Sequence, residues 1–252
     1  MAEAYGTLAP VYEWLTPDAL LDPEGAVAAF ADVVGDLPAG ASVLDCAAGT
    51  GQLAVGLALR GLDVTATDAS AAMIDRTRAL AERHGTALRT AACAWEDLPG
   101  QGWDTTFDAV LCVGNSLAHA PGRAARRAAL AAMAGVLKPG GLLAVTSRNW
   151  EQVRQERPGL EVADRLVERQ GRRGLVIYAW AIPDAWDDPH DVEVAVTLID
   201  AAGRAATHGE RLTFWPFTHE ALDDDLRAAG LAPAAGTYDP AAGRYLVTAR
   251  RR

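Results

Sequence analysis

From Ser42 onward, short runs of aliphatic and β-branched residues alternate with longer stretches whose apolar positions recur at helical spacing. "SVLDCAA", "DVTATD", "ALRTAACA" and "FDAVLCVG" read as strands, and "GQLAVGLALR", "SAAMIDRTRALAERH" and "GRAARRAALAAMAGVL" as helices. "GLLAVTS" is a further strand, placed after the Pro139-Gly140-Gly141 turn. Strands alternating with helices at this spacing predict a parallel, doubly wound α/β sheet. The near-continuous apolar character of the strands fits burial on both faces.

Beyond Ser147 the texture changes. "LVIYAWAI", "DVEVAVTLI" and "ERLTFWPF" are strand-like runs separated by "PDAWDDPH" and "DAAGRAATHG", with no helix between them. Runs of that kind pair antiparallel through turns, so an antiparallel insert over about 150–217 is expected. The regular pattern resumes with the helix "THEALDDDLRAAG" and the strands "LAPAAGTY" and "GRYLVTAR". The organisation expected is a helical lid segment over 1–41 and one domain over 42–252 that contains the insert.

Composition narrows the function. A net charge of −10 argues against a nucleic-acid partner, since phosphate binding needs concentrated Lys and Arg. The first basic residue is Arg60, and the acidic segment before it reads as neither a secretory signal nor a transit peptide. No apolar run is long enough to span a bilayer. Cys46, Cys93 and Cys112 are scattered in apolar surroundings, without metal-type spacing. The expectation is a cytoplasmic protein acting on a small-molecule substrate, with no membrane or nucleic-acid partner, no metal, and a homo-oligomer left open.

Three stretches carry chemistry. In "VLDCAAGTGQLA" a strand runs through Asp45 into Gly49-Thr50-Gly51 and then a helix. Such glycines let backbone approach a ligand whose negative group meets the helix N-terminus. Gly49-Thr50-Gly51 with Ala54 also satisfies the dinucleotide fingerprint, so this loop alone leaves two cofactor classes open. Asp68 ends the next strand, where an acid accepts hydrogen bonds from a ribose hydroxyl pair; a plain helix cap is the alternative. Met73 falls either on an adenine face or in the helix core. "CAWEDLP" offers Trp95 to a flat ring, with Glu96, Asp97 or backbone for an exocyclic amine, or else ordinary loop packing.

The order "VLDCAAGTG", "TATDAS", "AWEDLP", "FDAVLCVGNSLAH", "VLKPGGLLAVTSRNW" resembles class I S-adenosylmethionine-dependent methyltransferases over Ser42 to Trp150. The resemblance implies a mostly parallel, seven-stranded Rossmann-like sheet, with S-adenosylmethionine as cofactor and S-adenosylhomocysteine as product. It places Asp45, Ala47, Gly49, Gly51, Asp68, Ala69, Met73, Ala94, Trp95, Glu96, Cys112 and His119 at the cofactor, with Tyr5 and Trp14 closing over it. A nicotinamide dehydrogenase is the rival, but the final stretch resembles neither a second nucleotide-binding half nor a substrate domain.

Within that family, "CVGNSLAH" and "SRNWEQV" are similar to the glycine and sarcosine N-methyltransferases. The likeness implies Asn115 and Arg148 as carboxylate ligands and His119 as a cofactor neighbour; as a histidine it also suits proton uptake, with a helix-end or packing role as the plain alternative. Phe214-Trp215-Pro216 stands where that branch has Tyr-Tyr-Pro, which points to an acceptor larger or more apolar than glycine. Tyr12, Tyr178, Trp180 and Trp215 are the remaining substrate candidates, with Tyr178 and Trp180 on one strand face offering rings to a developing ammonium, or simply packing. An ion pair with Glu151 or Asp184 is the plain alternative for Arg148. The expected activity is methylation of the amine of an amino-acid-like substrate; O- or C-methylation of a specialised metabolite is the alternative.

Overall fold

The computed structural model describes residues 5–163 and 166–252. The chain starts with 3₁₀ turns at Ala9–Leu15 and Asp18–Leu20, then helices α1 (Pro23–Ala28) and α2 (Ala31–Val34). The alternating core follows as β1 (Ser42–Asp45), α3 (Gln52–Leu59), β2 (Asp63–Asp68), α4 (Ala71–Arg83) and β3 (Arg89–Ala92). It continues with β4 (Phe107–Cys112), α5 (Gly122–Val136) and β5 (Leu137–Arg148). After α6 (Trp150–Glu156) come β6 (Leu160–Val162), β7 (Val167–Arg169), β8 (Arg172–Ala181), β9 (His190–Ile199) and β10 (Ala205–Phe214). The chain closes with α7 (His219–Ala228), β11 (Leu231–Gly236) and β12 (Arg244–Arg251).

The main sheet has seven strands in the order β11-β12-β5-β4-β1-β2-β3. Its pairs are parallel except that β12 runs antiparallel to both β11 and β5. Val43, Leu44, Val110, Leu111, Leu143 and Ala144 are buried on these central strands, as the apolar runs predict. The order reverses direction between β1 and β4, and the carboxyl ends there form the crevice where open α/β sheets bind ligands.

The antiparallel insert is a second sheet, β10-β9-β8-β6, with β7 also on β8. It includes α6, β6 and β7, which the hydrophobic pattern does not reveal. Asn149 caps α6 by accepting from the Gln152 N–H at 3.2 Å. One other expectation needs correction. The Pro139-Gly140-Gly141 stretch lies inside β5 rather than before it: Phe107 pairs with Leu137 and Ala109 with Leu142, so the irregularity is absorbed as a bulge. The described part of the 1–41 stretch packs onto the rest of the chain. Ala26, Val27, Val33 and Val34 share a core with Val43, Leu53 and Ala54, and a Cβ on Gly56 would lie 2.3 Å from the Pro23 carbonyl oxygen. Within this stretch, the 3₁₀ turn at Ala9–Leu15 packs against β8 of the second sheet.

Candidate active site

A cavity of about 330 Å³ opens at the carboxyl ends of β1, β2, β3 and β4, a size suited to a small molecule. Ala47, Asp68, Ala69, Ala94 and Trp95 line it from the main sheet, His119 from the turn after β4, and Glu210, Thr213 and Trp215 from the second sheet. Tyr5 completes the wall.

The glycine loop sits behind this surface. Gly51 has φ +90° and caps α3, and Gly49 has φ +55°. Asp68 binds the loop to the next strand: its carboxylate accepts from the Gly49 N–H at 2.9 Å and the Ser70 N–H at 2.9 Å. Ser70 in turn caps α4, so the carboxylate of Asp68 lines the cavity while a different residue serves as the cap. The Trp95 indole N–H donates to the Cys46 carbonyl at 2.8 Å, which fixes the ring in the cavity wall.

Asp45 is buried beneath the loop, and burial pushes its carboxyl up to about 7; the Ala47 N–H pulls it back and the Asp68 charge raises it further. The folded chain therefore keeps a proton that the unfolded chain loses above about pH 4. Stability from this group falls as pH rises from about 4 to 7 and levels off above that. At about 1.4 kcal/mol per unit the cost is of order 4 kcal/mol. Asp45→Asn is expected to be the more stable protein at pH 8 and to lose the downward slope between pH 5 and 7 in urea titrations. A slope unchanged in the variant would contradict the assignment.

After β4, Gly114 (φ +83°) and Asn115 (φ +70°) both take left-handed backbone, a conformation that glycine and asparagine tolerate best. This double turn directs the 3₁₀ turn Ser116–His119 into the cavity. The His119 Nδ1 lies 3.0 Å from the Thr213 carbonyl oxygen, which only accepts, so Nδ1 carries the proton. Nε2 is left as acceptor for the Tyr5 hydroxyl at 3.0 Å. Burial lowers the His119 pKa, against smaller opposite effects from the Thr213 bond and Glu210, and the ring is neutral at pH 7. Burial likewise pushes the Tyr5 phenol well above its ordinary value and Tyr12 to about 12.

Glu210 fastens the N-terminal segment across the second sheet, accepting from the N–H groups of Tyr5, Thr7 and Leu8 and from the Thr7 hydroxyl. Bonds to a charged acceptor contribute about 1.5–3 kcal/mol each. Glu210→Ala is expected to raise amide exchange at Thr7 and Leu8 at least tenfold, with β1 and β4 unchanged; equal protection in both proteins would show that Glu210 does not hold the segment.

Several expected site residues stand elsewhere. Trp14 is buried against the second sheet: a Cβ on Gly174 would lie 2.2 Å from its ring, and the Arg169 guanidinium covers it at 5.8 Å. It supports the N-terminal segment rather than lining the cavity. Met73 and Cys112 are fully buried, and Cys112 is a free thiol. Glu96 is exposed.

Asn115 is buried, and its side-chain carbonyl accepts the Arg148 backbone N–H at 2.9 Å. It thereby ties β4 to β5 instead of offering that oxygen to the cavity. Arg148 pairs with neither anticipated acid: Glu151 receives the His219 N–H and the Tyr238 hydroxyl, and Asp184 pairs with Arg157. The Arg148 guanidinium lies 5.3 Å above the Trp180 ring, so that face is taken by the protein's own cation. Tyr12 reaches the cavity wall through its edge-on contact with Tyr5 at 5.5 Å, while Tyr178 stands beside Arg148.

Glu210 and Thr213 escape a reading of the sequence, because only the docking of the second sheet brings β10 over the cavity. Among the described residues no group of three potential metal ligands occurs, and no helix is long and apolar enough to cross a membrane.

Residues 43–141 match the family described as a methyltransferase domain. A glycine/sarcosine N-methyltransferase of Parasynechococcus marenigrum is 38% identical over 116 residues, 44% of this chain and 39% of that protein. The glycine N-methyltransferase of Rattus norvegicus is 37% identical over 127 residues, 44% of this chain and 41% of the relative. The chain thus spans about two fifths of the length of these curated relatives. Among solved structures, a sugar N-methyltransferase of Streptoalloteichus superposes with a TM-score of 0.73 at 26% identity, over 100% of this chain and 94% of that one. An amino pentose methyltransferase of Micromonospora echinaspora, solved with S-adenosylmethionine bound, gives a TM-score of 0.70 at 25% identity over 97% and 95%.

Proposed function

The chain carries a class I S-adenosylmethionine-dependent methyltransferase domain, and on that premise we propose that it moves a methyl group to the amine of a small, negatively charged acceptor. When bound, S-adenosylmethionine supplies an electrophilic methyl group on a positively charged sulfur. The cavity suits it: Asp68 offers a carboxylate to ribose hydroxyls, and Ala47, Ala69 and Ala94 keep a narrow slot beside the fixed ring of Trp95. The glycine loop and the start of α3 bring backbone close without side chains.

The observation that carries the acceptor reading is Arg148. It stands at the carboxyl end of β5, next to Tyr178, with no carboxylate partner among the described residues. A guanidinium fork holds an anionic group and so orients the far end of the acceptor. Asn115 positions Arg148 through its backbone. His119 accepts a proton at Nε2, directly or through the Tyr5 hydroxyl it already holds. Catalysis is then mainly positioning of a neutral amine.

An amino sugar as acceptor is a second reading, supported by the near full-length likeness to the sugar and amino pentose enzymes. Arg148→Gln separates anionic acceptors from others. Losing a charged hydrogen bond of about 1.5–3 kcal/mol raises KM for an anionic amine at least tenfold, with S-adenosylhomocysteine affinity unchanged. Turnover confined to uncharged acceptors, with KM indifferent to the variant, would remove Arg148 from the acceptor site and favour the amino-sugar reading.

A further inference from the structure

Arg148 and Arg244 are direct partners on the antiparallel ladder between β5 and β12. Their side chains therefore leave the sheet on the same face, about 5 Å apart at Cβ, and like charges so placed work against folding. Other cross-strand arginines meet an acid, as Arg89 meets Asp63 and Arg211 meets Glu193. Here, among the described residues, neither guanidinium has a carboxylate partner.

The immediate neighbours are aromatic. Trp180 lies under Arg148, the Tyr178 phenol feels both cations and the Tyr12 phenol feels Arg244, and burial keeps both phenols protonated. Of the acids nearby, Glu161 accepts from the Trp180 indole N–H at 2.8 Å, and Asp68, whose charge reaches Tyr5 and Tyr12, accepts from the Gly49 and Ser70 N–H groups. Arg244 is exposed by area, yet desolvation and the adjoining Arg148 lower its pKa, the direction expected for a cation without an anion. Because β12 is antiparallel, its first residue lies at the same end of the sheet as the cavity, to which Tyr12 connects through Tyr5.

We propose that Arg148 and Arg244 form one dicationic seat for a doubly negative group on the methyl acceptor, which makes the acceptor an amine carrying a phosphate or two carboxylates. A single carboxylate fills one guanidinium fork and leaves the second charge unmatched; a dianion matches both. Arg244 is then the residue that selects acceptor charge. This rests on the methyl-transfer reading of the adjoining cavity.

The test is calorimetric titration of the full chain, saturated with S-adenosylhomocysteine, with inorganic phosphate, malonate and acetate at one fixed low ionic strength. Phosphate or malonate is expected to bind at least tenfold more tightly than acetate, and whichever binds better identifies the source of the charge. Arg244→Gln is expected to lose at least tenfold in dianion affinity and less than threefold for acetate, and Arg244→Lys to recover part of it. Unchanged S-adenosylhomocysteine affinity and a Tm no lower than the parent's identify the loss as local. Acetate binding as tightly as both dianions, or dianion affinity indifferent to Arg244→Gln, would overturn the proposal. The readout is equilibrium binding, so failure to methylate any amine would instead count against the functional reading.

Discussion

Asp68→Asn is expected to weaken S-adenosylmethionine binding about 100-fold. Each hydrogen bond to a charged group is worth about 1.5–3 kcal/mol, and a carboxylate facing a ribose hydroxyl pair makes two of them, so a loss near 3 kcal/mol is reasonable. The same carboxylate also accepts from the Gly49 and Ser70 N–H groups. An asparagine keeps one carbonyl oxygen, and its NH₂ then faces one of those donors. The loop and the ligand thus lose support together. Calorimetry with S-adenosylmethionine measures the effect; an affinity within threefold of the parent would mean that Asp68 only braces the loop.

Gly51→Ala is expected to lower stability by about 3 kcal/mol, and Gly49→Ala by only about 1 kcal/mol. Both residues have left-handed backbone, but their surroundings differ. A Cβ on Gly51 would stand 2.8 Å from the Thr77 Cγ2 and Oγ1 and 2.9 Å from its Cα, and a backbone atom cannot rotate away. Thr77 is itself fully buried and donates to the Gly49 carbonyl oxygen at 2.9 Å, so relief at one point disturbs the whole loop. A Cβ on Gly49 meets nothing within 4 Å. For a chain of 252 residues the larger loss corresponds to a drop in Tm of about 6–12 °C. Equal Tm values for the two variants would show that backbone strain, rather than the Thr77 contact, governs the loop.

The parallel sheet was legible because strands buried on both faces must be apolar throughout, as Val110 and Leu111 are. The meeting of the glycine loop with Asp68 was legible too: they follow consecutive strands, and local order carries them to one place. What escaped depends on the second sheet. Nothing local to Trp14 says that Gly174 will leave room for its ring, and nothing local to Glu210 says that Tyr5, Thr7 and Leu8 will come to it. The family likeness implies Asn115 as a ligand, yet its side-chain carbonyl accepts the Arg148 N–H and ties the end of β4 to β5. Arg244 left one usable signal. Once the last strand is recognised as antiparallel, its first residue falls at the end of the sheet where the cavity opens, opposite Arg148.

The most direct test of methyl transfer to nitrogen is incubation of the pure protein with S-adenosylmethionine carrying a deuterated methyl group. The amines offered should span uncharged, singly and doubly negative acceptors, amino sugars included, and fragmentation mass spectrometry would locate the label. The account predicts a labelled N-methyl product from an anionic amine, with one S-adenosylhomocysteine formed per methyl group. Label on oxygen or carbon, or no S-adenosylhomocysteine above the acceptor-free control with any amine, would contradict it.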